Sequence, residues 1–527
     1  MERRSQLGLG RSQVDCTTSC DQPTPTRCRG QPAAEAAAAA SSRGQHVSLT
    51  SCRGRLGFAR DSRGQLTLFR AAVCSTAILS LLCNVAAAYD PYDYREEYNL
   101  ANVEPEPEVF ITLSSAVLKG RSGLTERRIQ LNWFNIDVRH TNSRHSLGHN
   151  HTLYLLRRPA GLFRIDEDAI FKRDIGMQSD GQITTHISFP RVIFNRTHLH
   201  DECLDYWVAL VRREQLVSGG RQRTMVAHAC FRAQPYWMWK NRQTLKHLTL
   251  RQMMIPGTHN SGMYSFYNPR AIRVVADFKY TQEEDIFNQL AYGIRCLDLR
   301  VSASGSTHSP KYKIAHDVLS GDASVLEVLR QVKDFVEVTN EVIILDLHRF
   351  PNGFDNEAAH QRFIDFLRQE LGDLIIPYNT ALDRSLQHIW NGDGRGRVVV
   401  CYNARLLTVN QSLHLGVRHL WADTNLPSSL KSYFARKVCE AEKYGLYYFH
   451  AAMAELTPTV VNIIFEGHKG GLRKMADETN PLVARWFRRE YRTCANIVAT
   501  DFFLGADIVS VAIQSNIERS KLYRTNK

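Results

Sequence analysis

From Leu248 onward, short apolar runs alternate with helical periods, and that rhythm restricts the possible fold more than any other feature of the chain. The runs MMIPGTHN, RCLDLRVS, YKIAHDV, EVIILDLHRF, RVVVCYN, GVRHLWAD, LYYFHAAMAEL and ANIVATDFF read as strands. Between and after them, SVLEVLRQVKDFVEV, HQRFIDFLRQEL, SLKSYFARKVCEAEKY, PLVARWFRREY and a closing ADIVSVAIQSNIERSKL carry the helical period. About eight strands in about 270 residues is the size and rhythm of a TIM-type (β/α)8 barrel. Helices are not evident between the first few strands, so an irregular α/β barrel is expected over residues 245–520. A doubly wound open sheet is the alternative, but no G-x-G-x-x-G follows the first strand.

In such a barrel the catalytic groups sit at the C-terminal ends of the strands. His259 and Asn260 end the first run, and His316 ends KIAHD. Asp298 and Arg300 alternate in CLDLR, as Asp346 and His348 do in ILDLHRF, so each pair shares one side of its strand. Asp423 ends LWAD and Asp501 ends IVATD. A single histidine at a strand end is more often structural than catalytic. A whole set of inward His, Arg and Asp would be costly to bury without a polar task.

These segments, IPGTHNSG, GIRCLDLRV, IAHD and EVIILDLHRF in that order, resemble the X domain of phosphatidylinositol-specific phospholipases C. FHAAMAELTPTV and ANIVATDFFLGADIVSVAIQSN resemble the X-domain-containing proteins in particular. The resemblance implies a phosphodiesterase that yields diacylglycerol and a cyclic inositol phosphate. His259 would be the general base and His316 the general acid, both suited by an imidazole pKa near working pH. Arg300 would hold the phosphoryl oxygens as charge builds on them. Asp501 would orient the base, Asp298 would stand beside the arginine, and Asn260 would face the same site. His348, Asp346, Asn403 and Asp423 would line the substrate.

Calcium-dependent members of that family gather acidic oxygens beside an asparagine, whereas Arg300 and His348 here stand where two of those acids would be. A guanidinium supplies the positive charge itself and repels a cation, so neither a metal nor any other cofactor is expected. The bacterial metal-free members carry Asp at the position of Asn260, Lys at His348, Arg at Asn403 and Tyr at Asn425. Those departures leave a second reading open, a weak or inactive lipid- or protein-binding member of the same fold. A third, a metal-dependent glycerophosphodiester-type diesterase, is opposed by Arg300.

Ahead of the barrel, residues 109–235 hold short β-branched and aromatic runs, EVFITLSSAVL, RRIQLNWFNID, HTLYLLRR, QITTHISF and DYWVALVRR, expected to form a smaller all-β sandwich-like domain. Cys203 and Cys230, in or beside its last two strands, could form a disulfide. The cluster Tyr236, Trp237 and Trp239 either packs at the joint or dips into a bilayer interface.

Residues 1–70, rich in Arg, Ser, Gly and Ala, are expected to be disordered or removed. They hold eleven Arg, no Lys and five acids, a net +6 out of the chain's +13. What remains is mildly basic, which fits an anionic lipid surface and gives no support to nucleic acid as a partner. The run Ala71–Ala88, flanked by Arg63 and Arg70 and ending in an A-x-A pattern, reads as a secretory signal peptide or a signal anchor. An acidic linker, 89–108, follows. Sequons at Asn150, Asn195 and Asn410 fit secretory or luminal placement, with inositol phospholipid at a membrane surface as the expected partner.

Overall fold

The computed structural model describes residues 106–525 apart from short breaks, the longest at 266–276, 460–469 and 405–412. Before them it describes only the pairing of Ala59–Arg60 with Leu66–Thr67. The expected leader segment, the signal run, most of the acidic linker and the sequon at Asn410 lie outside the described residues. Among the described residues, no helix is long and apolar enough to cross a membrane.

Eight parallel strands build the sheet that carries the site: β1 Ile255–Thr258, β2 Cys296–Ser306, β3 Ile343–Arg349, β4 Val398–Tyr402, β5 His414–Leu415, β6 Arg418–Leu420, β7 His450–Met453 and β8 Ile497–Thr500. Their hydrogen-bonded order is β5-β4-β3-β2-β1-β8-β7-β6, so the sheet curls fully round but leaves a seam between β5 and β6. The α/β barrel expectation holds, and the seam is its main irregularity.

Two details correct the sequence reading. The run YKIAHDV is not a barrel strand. β2 continues past the barrel, the chain turns back, and Ser309–His316 returns antiparallel to it as an arm, paired in turn with Leu319–Ser324. The missing barrel strand is the two-residue β5, too short to show a period. A helix the sequence did not suggest, α1 Ile286–Tyr292, lies between β1 and β2, while the run SVLEVLRQVKDFVEV forms the expected helix, α2 Val325–Thr339. At seven residues, α1 spans less than two turns and ends at Gly293, whose φ of +123° suits only glycine.

The longer helices follow ordinary local rules. Ser324 caps α2 and forms a reciprocal capping box with Glu327, and Val325, Val328, Leu329, Val332, Phe335 and Val336 make its buried face. Asn356 caps α3, Glu357–Leu371, and Gly372 closes it in positive φ. Next come α4 Pro427–Tyr444, α5 Gly471–Arg489 and α6 Ile508–Thr525.

Two four-stranded antiparallel sheets precede the barrel. One runs Arg221–Arg232, Cys203–Leu216, Ser146–Leu156, Ala169–Asp174; the other joins Glu108–Leu113, Leu124–Phe134, Val117–Lys119 and Gly181–Phe189. Their core is continuous with the barrel's: a single apolar cluster runs from Val109, Leu131 and Leu210 through Trp237 to Leu345 and Val509. Residues 101–527 accordingly form one compact unit. Buried ions reinforce the join. Arg127 on the second sheet pairs with Glu283 at 2.7 Å and Glu284 at 2.6 Å, and Arg473 of α5 reaches Glu283 at 3.1 Å. Trp237 is buried and its indole N–H donates to the Gly293 carbonyl at 2.9 Å, so it packs at the joint. Cys203 and Cys230 form the expected disulfide, and a second joins Cys439 on α4 to Cys494.

Candidate active site

The first barrel loop is held rigid from below. Gln282 donates through its amide to the carbonyls of His259 and Thr500, Gln289 to those of Ser261 and Glu284, and Thr258 bonds Ser261 and Gln289. A Cβ on Gly262 would lie 2.7 Å from the Ile314 side chain, so this glycine lets the arm close down on the loop. That approach carries His316, at the arm's end, over to His259: their ring centroids are 6.2 Å apart at 85°.

His259 is buried, and its Nδ1 lies 2.8 Å from Asp501 Oδ1. Asn480 of α5 steadies that acid by donating to the Asp501 and Phe502 carbonyls. On the other edge of the ring, Arg300 Nη2 lies 2.7 Å from His259 Nε2. Arginine can only donate, so Nε2 accepts and Nδ1–H donates to Asp501. This is the neutral tautomer a general base requires, fixed by a carboxylate as in a catalytic triad. Burial pushes the His259 pKa down, but Asp501 more than offsets it and the net direction is up. A protonated ring could not accept from Arg300, so protonation of His259 and withdrawal of the guanidinium go together.

Asp298 Oδ2 accepts the backbone N–H of Asn260 at 2.9 Å. Burial would raise this carboxyl, but Arg300, His419, His259 and His348 together hold it well below the usual range. The Asn260 side chain is fully buried, and neither its Oδ1 nor its Nδ2 has a hydrogen-bond partner among the described residues. It sits at a φ of +42°, and Phe502, directly after Asp501, at +44°. Sparsely populated backbone on both sides of the His–Asp pair marks a site held against strain. The arm histidine, half-buried, donates from Nδ1 to the Lys279 carbonyl at 3.0 Å, which turns Nε2 away from that contact.

Asp346, His348 and His419 form a neighbouring group. His419 Nε2 is 2.6 Å from Asp346 Oδ2, His348 Nδ1 is 3.7 Å from the same oxygen, and the two imidazoles stack at 3.4 Å and 4°. Burial, aided by Asp298, pushes Asp346 up to about 6, and burial with His419 pushes His348 down to about 3. Among the described residues, this is the group of side chains that could hold a metal ion. Calcium fits poorly in the phosphoryl position. Asn260 and Asp298 would offer oxygens there, but the Arg300 guanidinium on the base would repel the cation.

His259, Arg300, Asp298, Asn260, Asp501 and His316 are thus brought together, and Asp346 and His348 adjoin them. Asn403 is exposed and donates to the His348 carbonyl at 3.1 Å. Asp423 is exposed in left-handed backbone beyond β6. Two site residues escaped the sequence reading. Glu455, just past β7, is buried, and its Oε2 has no hydrogen-bond partner among the described residues. Burial and Asp501 push its pKa up to about 7 against the pull of His259 and Arg300. His419 lies on the three-residue β6. Glu455 ends a strand run as Asp501 does, and that position was the available signal.

No family model matches the chain. The PI-PLC X domain-containing protein 3 of Danio rerio is 27% identical over 308 residues, 53% of this chain and 92% of that one. The Homo sapiens protein 3 is 26% identical over the same span, and the Danio rerio protein 1 is 26% identical over 309 residues, 53% of this chain and 96% of its own. Among solved structures, a phosphatidylinositol-specific phospholipase C of S. aureus matches 53% of this chain and 97% of its own at a TM-score of 0.42 and 16% identity. That of Listeria monocytogenes matches 54% and 98% at 0.41 and 16%. Similarity that weak bears on neither substrate nor mechanism. Over 53% of its length, the chain is similar in sequence to the PI-PLC X domain-containing proteins.

Proposed function

We propose that the chain is a phospholipase C-type phosphodiesterase that cleaves phosphatidylinositol or a related inositol phospholipid by histidine acid–base catalysis. The observation that carries this reading is the buried chain Asp501–His259–Arg300, with His316 facing the base across 6.2 Å. A phosphate entering between the rings would draw the Arg300 guanidinium from Nε2 to its own oxygens, since a charge-assisted bidentate bond outweighs one to a neutral ring. His259 Nε2, so released, takes the proton of the inositol 2-hydroxyl, whose oxygen attacks phosphorus. His316 Nε2 gives a proton to the departing diacylglycerol oxygen. The bonds made and broken balance as a cyclic inositol phosphate and diacylglycerol. Asn260, whose amide atoms are buried with no partner among the described residues, supplies a donor and an acceptor to the same substrate.

The test is to incubate the purified chain with phosphatidylinositol vesicles in EDTA and assay for cyclic inositol phosphate. Product should form at an undiminished rate without calcium. Activity that is absent in EDTA and restored by micromolar calcium would overturn the metal-free mechanism. The exposed side chains of Asn403 and Asp423, outside the buried cluster, favour a second reading in which the barrel binds lipid but turns it over weakly. Vesicle binding without product would select it.

The compartment proposed is secretory or luminal, with an inositol phospholipid surface as partner. Two disulfides and two exposed sequon asparagines, Asn150 and Asn195, support it.

A further inference from the structure

The Asp346, His348 and His419 group is built unlike the acid–base pair beside it. Asp346 and His348 lie two apart on β3 and share one face. His419 comes from β6, at the far end of the sheet order, and β3 and β6 exchange no hydrogen bonds. The three therefore meet across the barrel lumen. Two aromatic rings ordinarily avoid a face-to-face sandwich and prefer an offset or an edge. Here two imidazoles lie nearly parallel at 3.4 Å, and both turn a nitrogen toward one carboxylate. Among the described residues, His348 Nδ1 and Asp346 Oδ1 find no hydrogen-bond partner, and the Asp346 side chain is only 1% exposed. A buried carboxylate oxygen and a ring nitrogen left unpaired are costly, and a shared cation would satisfy both.

We infer that Asp346, His348 and His419 form a binding site for a borderline divalent transition ion of the zinc class. Two imidazole nitrogens and a carboxylate oxygen are a common protein set for zinc, and they leave a fourth position for water. The donor atoms lie within 4.8 Å of one another. Neighbouring ligands on a tetrahedral zinc lie about 3.3 Å apart, from bond lengths of about 2.0–2.1 Å. The 3.7 Å and 2.6 Å separations bracket that value, and the imidazoles would rotate out of their stack so that each nitrogen's in-plane lone pair meets the one ion. Nitrogen donors select against calcium and magnesium, which favour oxygen. The ion would tie β3 to β6 across the lumen. It takes no part in the acid–base chemistry proposed for His259 and His316.

The test uses the full chain stripped with chelator, loaded with ZnCl2, passed through a sizing column and assayed for metal per chain. Wild type should retain one equivalent more than His348→Asn or His419→Gln, with affinity in each variant lower by about 100-fold or more. His419→Gln keeps a donor toward Asp346, which guards the fold, and far-UV circular dichroism checks it. Replacing the exposed His308 with Ala should change nothing. Co2+ should give the visible absorption of a tetrahedral site in wild type and lose it in both variants, and millimolar Ca2+ should displace neither ion. Equal zinc in wild type and variants, or none in wild type, overturns the inference. A chain that cleaves lipid but holds no zinc removes this site and leaves the phosphodiesterase reading, and the reverse result does the opposite.

Discussion

His259 has one acidic partner, one cationic partner and one facing histidine, and each bears on how it should fail when replaced. His259→Ala and His316→Ala should each lower turnover of phosphatidylinositol by roughly two to four orders of magnitude, the usual contribution of a positioned base or acid. The double variant should fall well short of the product of the two losses, because residues acting as a unit are not additive. Equal, slow turnover in wild type and both single variants would remove the enzyme reading. Glu455 offers a test that needs no substrate. Unfolded, its carboxyl ionises near 4.5, and folded near 7, so across that window the native chain binds more protons and stability falls as pH rises. Glu455→Gln should flatten that slope in urea unfolding. At pH 8 it should gain on the order of 3 kcal/mol, the cost of ionising a carboxyl that burial holds so far above its ordinary range. A slope identical to wild type would mean that Glu455 is not held protonated. Much of the site was legible because its residues alternate on strands long enough to show a period. His419 was not, since a three-residue strand carries no pattern, and Glu455 ends a run that reads as ordinary apolar packing.

At the scale of elements, the parallel strands announce themselves wherever four or more apolar residues run together. The arm did not, because Ser309–His316 has the composition of a barrel strand, and only pairing direction separates the two. The seam was equally hidden, since β5 and β6 are separated only by Gly416 and Val417. The join between the antiparallel sheets and the barrel rests on groups that a linear reading cannot bring together: Arg127 meets Glu283 from 156 positions away and is 1% exposed. Arg127→Met should destabilise the chain by about 3 kcal/mol, the lower end for removing one partner of a buried ion pair, because Arg473 and Arg191 still face the two glutamates. A single urea transition should move to lower midpoint with the slope unchanged, as one continuous core requires. An early, separate transition for the antiparallel sheets would show that they unfold alone.

At the scale of the whole molecule, covalent chemistry and surface position point the same way. Cys439–Cys494 closes 55 residues and Cys203–Cys230 closes 27, and bonds of this kind persist where thiols are oxidised. Cys296 and Cys401 are buried in barrel strands and remain free thiols, so pairing is selective rather than indiscriminate. Asn195 sits at the surface in a tight turn whose bonds from Thr197 and His198 engage only its carbonyl oxygen, and Asn150 is exposed on its strand. Both amide nitrogens are therefore accessible to a glycosyltransferase, provided the chain passes through the compartment where that enzyme works. Expressed in cultured cells, the protein should gain gel mobility on treatment with an N-glycan-removing enzyme. Asn150→Gln and Asn195→Gln should each abolish one step of the shift, and any step left in the double variant reports on Asn410. Alkylation before and after reduction should count four protected thiols among the six cysteines from Cys203 onward. A chain recovered from cytosol with no mobility shift and all six thiols reactive on unfolding would overturn the secretory placement, and with it the view that the substrate is met on an extracytosolic membrane face.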